Sequence, residues 1–181
     1  TATGGTTYLN TFIDNNVYAF IHAKNVNDAV IQLSKARDDV SKNSDINSSE
    51  EKYRSHIISS IPIKGLIQFI YGKPFSRIVN CYYTSINDFI IFANQPSALK
   101  VLIDEVSQGK VLAKDSLYLR SEKAMPAFSN INLYINPQRT VNMFLPIHLN
   151  SFLNTLYHAS GIFAQWSYNE GSIKTQLAFN F

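Results

Sequence analysis

The feature that most constrains this chain is a change of period that occurs twice. In VYAFIHAKNVNDAVIQL, residues 17–33, Val17, Ala19, Ile21 and Ala23 alternate with Tyr18, Phe20 and His22, so both faces of a strand look covered. After a short polar loop, Ala29, Val30 and Leu33 recur at three- and four-residue spacing. In DFIIFANQPSALKVL, residues 88–102, the same switch falls between Ala93 and Leu99, with Pro96 near the first helical position. Alternation fits a pleated strand and the wider spacing fits a helix, so each segment reads as strand, loop and amphipathic helix in succession. The two form a weak internal repeat. The expected fold class is α+β, a mainly antiparallel sheet with helices packed on one face and a possible duplicated strand-loop-helix unit.

Asn27 is placed to cap the first helix, which runs to about Ser41. SKNSDINSSEEK, residues 41–52, is polar and turn-rich, and carries the formal glycosylation sequon Asn47-Ser48-Ser49. A short strand is expected near Tyr53 to Ile61. PIKGLIQFIY, residues 62–71, is too apolar for exposure, and Pro62 before it with Gly72 after it predicts a short buried helix. Arg77 to Ser85 and Asp88 to Ala93 read as a hairpin. Leu99, Leu102, Ile103 and Val106 stripe the helix that follows, and Gly109 closes it. A helical turn at Asp115 to Lys123, a strand at Asn130 to Ile135 and a helix from Pro146 to His158 come next. The last element is a hairpin, Ile162 to Tyr168 and Ser172 to Phe179, joined by Asn169-Glu170-Gly171. Residues 1–7, TATGGTT, form a flexible N-terminal segment. Residues 8–181 read as a single α+β domain, and the missing initiator Met marks it as a piece of a longer chain.

Chemistry is sparse. The 16 Lys and Arg against 13 Asp and Glu are scattered and give no cationic stripe, which excludes nucleic acid as a partner. His22, His56, His148 and His158 show no metal-ligand spacing. Asp38-Asp39, Glu50-Glu51 and Asp104-Glu105 are adjacent pairs, and neighbours on a helix diverge by about 100° instead of converging on one atom. Cys81, the single Cys, sits among Val79 and Tyr82 in a strand and reads as a small core residue. No nucleophile elbow or phosphate loop is present, so no catalytic residue, metal or cofactor is expected and the chain reads as a non-enzyme. No stretch is apolar enough to span a membrane.

Aromatic residues are in excess, with 12 Phe, 10 Tyr and 1 Trp. Tyr82, Tyr83, Trp166 and Tyr168 lie on strands and form a candidate aromatic binding face for glycan or peptide. Core filling by β-formers is the competing account and carries more weight.

The run YGKPFSRIVNCYYTSINDFIIFANQPSALKVLIDEVSQGKVLAKD, with FSNINLYINP and SYNEGSIKTQLAFNF after it, resembles a family of uncharacterised extracytoplasmic bacterial domains common in Bacteroidetes. The matching positions are Gly72 and Phe75, Tyr82 and Tyr83, Phe92 to Leu99, Gly109 to Asp115, and Asn130 to Pro137, so the resemblance covers residues from about 65 to the end. It implies an α+β domain of an envelope-associated chain, periplasmic or at the cell surface, whose partners are other protein domains, some of them in the same parent chain. The family brings no activity and no catalytic residues.

Overall fold

The computed structural model describes residues 14, 16–43, 48–137 and 158–181. The expectations for residues 1–7, for Asn47 of the sequon and for a helix opening at Pro146 lie outside the described residues. Where the sequence reads as one domain over 8–181, the backbone groups into two compact units, Thr1–Gln108 and Gly109–Phe181.

The first unit is built on a five-stranded sheet. In chain order its elements are β1 (Tyr18–His22), α1 (Val26–Lys42), β2 (Glu50–Tyr53), β3 (His56–Ile61), α2 (Leu66–Tyr71), β4 (Cys81–Ile86), β5 (Phe89–Ala93) and α3 (Pro96–Ser107). The strand order is β1-β5-β4-β3-β2, and every neighbouring pair is antiparallel. β2 to β5 therefore form a meander, while β1 crosses the whole sheet through α1 to pair with the last strand. The α+β expectation holds.

Side-chain parity divides the sheet into two covered faces. Ala19, Ile61, Cys81, Tyr83, Ile90 and Phe92 point to one face, where Ala29, Val30 and Leu33 of α1 and Ile67 of α2 pack on them. Ile58, Ile86, Ile91 and Ala93 point to the other, against Ala98, Leu99 and Ile103 of α3. The helices thus flank the sheet on both faces, not on one as expected. The cause lies in β5: its residues 89–93 are apolar on both parities, so each face needs a cover. The strand-loop-helix unit does occur twice, as β1-α1 and β5-α3. A two-fold axis normal to the sheet that exchanged these antiparallel neighbours would place both helices on one face, so the two units are not symmetry-related.

Local expectations are corrected in three places. Asn25, not Asn27, caps α1: its Oδ1 accepts from the Asp28 N–H at 3.2 Å, which leaves Asn27 inside the first turn. The expected strand at 53–61 is a hairpin, β2-β3: Arg54 takes a positive φ of 53° in the turn, and the first strand, Glu50 to Tyr53, begins inside the 41–52 segment read as a loop. The helix at 62–71 shrinks to Leu66–Tyr71 and is not buried: Ile67 goes into the core, while Phe69 is 89% exposed.

The second unit holds α4 (Ser116–Lys123) and a three-stranded antiparallel sheet, β6 (Ile131–Ile135), β7 (Gly161–Asn169) and β8 (Ser172–Asn180), in the order β6-β7-β8. Asp115 caps α4 by accepting from the Leu117 and Tyr118 N–H groups. Positive φ at both Glu170 (48°) and Gly171 (83°) marks the β7-β8 turn as type I′, as the two-residue connection requires. One face of this sheet is covered by α4. Tyr118 meets Tyr134 edge-on at 5.2 Å and Phe163 at 5.8 Å. Gly161 allows the close approach, since a Cβ there would stand 3.0 Å from Ser121 Oγ and 3.2 Å from Tyr134.

Candidate interaction surface

The four aromatic residues expected to share a face do not form one platform. Tyr82 and Tyr83 are adjacent on β4 and so point to opposite faces. Tyr83 is buried under α1 against Phe92, and Tyr82 is half-buried on the α3 side. The Tyr83 ring is thereby closed to a ligand. Trp166 and Tyr168, two apart on β7, do share a face, and Tyr168 is 64% exposed.

That face is the one α4 leaves open. The register places Ile131 beside Trp166, Leu133 beside Ala164, Tyr168 beside Ile173, and Ala164 beside Leu177. Ile131, Leu133, Ile173, Leu177 and Phe179 are all exposed, whereas Gln176, Ala178 and Asn180 on the α4 side of β8 are half-buried. No Asp, Glu, Lys or Arg projects from the open face in the described strands; the polar side chain there is Thr175. A contiguous, charge-free apolar patch of this kind is uncommon on the surface of a monomeric soluble protein. β8 is also a free edge of nine residues without Pro. The edges of the first sheet are shorter, and β2, with the sequence EEKY, carries charge.

Two concave sites are formed by described residues. A cavity of about 390 Å³ opens at the ends of β3 and β4 between Pro62, Lys64, Asn80 and Tyr82. Cys81 borders it, buried, with its thiol pushed up to about 12 by burial, which keeps it protonated and unreactive at neutral pH. A second cavity, of about 210 Å³, lies between α1 and the sheet, with Ser34, Ser59, Ser85, Glu50 and His56 around it. Several of its polar groups are engaged: Glu50 holds Arg37 and accepts from Ser59 Oγ at 3.2 Å, and His56 Nδ1 lies 2.9 Å from the Ser85 carbonyl, whereas the buried hydroxyl of Tyr83, which also borders it, has no hydrogen-bond partner among the described residues. The Arg37 guanidinium is held charged chiefly by its hydrogen bond to Glu50. The phenols of Tyr18 and Tyr118 are raised, first by burial and then by Glu105 and Glu122 respectively. No two of these shifted groups line one cavity. Described residues include no gathering of three or more His, Cys, Asp or Glu, and no helix long and apolar enough to cross a membrane. His148 lies outside the described residues.

Of this open face the sequence reading names only Trp166 and Tyr168, although the signal for its β8 part is there as well. In SIKTQLAF, residues 172–179, Ile173, Leu177 and Phe179 take odd positions while Lys174 and Gln176 take even ones. The alternation identifies an apolar face; it does not say whether anything covers it. Compared with protein-family models, with curated proteins and with solved structures, the chain matches none.

Proposed function

We propose that this chain is a non-catalytic interaction or structural domain of an extracytoplasmic, envelope-associated bacterial protein, and that it works through the open face of the β6-β7-β8 sheet. The observation that carries the contact surface is the run of bare apolar side chains from Ile131 to Phe179 on a face without charge. The setting rests on the resemblance over residues from about 65 onward. Partners are other protein domains, of the same parent chain or of another.

A second reading, glycan or peptide binding, draws on Trp166 and Tyr168 standing on one face. Their neighbours Ile131, Ile173 and Leu177 are aliphatic and offer sugar hydroxyls neither donors nor acceptors, so an apolar peptide suits the face better than a glycan. The test is retention of envelope proteins by the immobilised chain and by an Ile131→Asp/Leu133→Asp variant. Proteins held by the wild type and released by the variant support the reading. An identical set on both, or nothing on either, would sink it.

A further inference from the structure

We infer that the open face of the β6-β7-β8 sheet packs against the same face of a second copy of this chain, forming a two-fold sandwich of two three-stranded sheets. The inference rests on the reading of that face as a contact surface and names its occupant.

Three observations lead there. Among its described residues the second unit buries few apolar side chains, namely Phe163, Ala164 and Ala159, and its described helix is a two-turn one. A sheet with so small a core gains most from a second layer on its bare side. The bare side chains, including Tyr168 at 64%, Ile173 at 72% and Leu177 at 58% exposure, leave on the order of 700 Å² open. That is close to the ~800 Å² per partner of a standard stable interface. Finally, an isologous contact sets each side chain against its own kind or its neighbours, so any charge on the patch would face a like charge. This patch has none, and two copies can approach about 10 Å apart, as packed sheets do, without burying an unpaired ion.

The chain carries its own probe. Trp166 is the single Trp, half-buried in that face, so a second layer would remove its remaining water contact. Sedimentation and Trp166 emission are followed together over a dilution series. The expected result is a two-copy mass that falls to one copy on dilution, with emission moving to longer wavelength over the same range. Leu177→Lys and Ile173→Lys each place a charge on an exposed position; each should weaken association ~100-fold or more, with the far-UV spectrum unchanged. Leu133→Lys separates face from edge: Leu133 is exposed on the open face but lies on β6, at the far side of the sheet from the free edge of β8, so its charge weakens a face-to-face sandwich and leaves a pairing of β8 edges untouched. A monomer at every concentration overturns the inference, as does a dimer that ignores Leu133→Lys or one that ignores both β8 Lys variants. Retention of envelope proteins that depends on Ile131 and Leu133, in a chain that stays monomeric, would leave the interaction role standing and remove only the second copy.

Discussion

Asn94 concentrates more structure than any other polar side chain described. Its Oδ1 accepts from the Val79 and Asn80 N–H groups at 2.8 and 3.0 Å, and its Nδ2 donates to the Asp14 and Arg77 carbonyls at 2.7 and 2.8 Å. The amide thereby fastens two segments to the end of β5, in a site where it is only 7% exposed. Asn94→Ala strands these backbone groups and should cost about 3 kcal/mol in denaturant unfolding. Asn94→Asp should cost at least as much at neutral pH, since a carboxylate cannot donate to the two carbonyls. A loss below ~1 kcal/mol for the Ala variant would show that water replaces the network. In sequence Asn94 reads only as part of a helix opening, because contacts with Asp14 and Val79 exist only after the sheet has formed. Cys81 is the opposite case: its apolar neighbours already announced burial. Its thiol rises from an ordinary 9.0 to about 12, so the folded state holds the proton more tightly than the unfolded one. The stability this contributes is complete below pH 9 and is lost as pH climbs towards 12. A thiol reagent at pH 8 should therefore label Cys81 only at the rate of unfolding, and labelling as fast as in denaturant would contradict its burial.

At the scale of elements, what was legible followed local rules. The period change at 93–99, Pro96 as the first residue of α3 and the Glu170-Gly171 turn each depend on residues a few positions apart, and each falls within two positions of expectation. The failures share a different cause. Phe69 and Ile70 on α2 were read as buried because apolar content was equated with core, and the structure leaves both exposed. The open face is legible only through Trp166 and Tyr168, for the related reason that which face of a strand is covered depends on the whole fold. Two substitutions test how these elements are held. Gly161→Ala pushes a methyl to within 3.0 Å of Ser121 Oγ and should lower stability by about 1–3 kcal/mol, measured by thermal melting; an unchanged melting point would mean that α4 is free to move away. Lys174 is the only charged residue of β8 and so its gatekeeper against sheet extension. Lys174→Val should shorten the lag before thioflavin-positive aggregates appear at equal stability, and an unaltered lag would assign that protection elsewhere.

At the scale of the whole molecule, both apolar clusters of the five-stranded sheet draw their members from Val17 to Val106, inside the first unit. A chain ending at Gln108 should accordingly fold alone, unfold cooperatively and protect the amides of β4 and β5 from exchange; a molten product without protection would show that residues 109–181 complete its core. The composition hinted at none of this division, since the apolar fraction is similar in kind on both sides of Gln108.

The path of the first strand has a kinetic consequence. β2-β3 and β4-β5 close by two-residue turns and β3-β4 by a longer link through α2, but Tyr18 of β1 meets Ala93, 75 positions along the chain, and His22 meets Phe89, 67 positions along. Closing so large a loop costs entropy that no local contact repays, so the meander should zip first and β1 should be the last strand recruited. Until it arrives, the backbone edge of β5 stands open beside Ile90, Ile91 and Phe92. During that interval the strand that fills the vacancy need not be the chain's own: β1 of a neighbouring molecule fits it equally well, and strand exchange competes with correct folding in proportion to concentration.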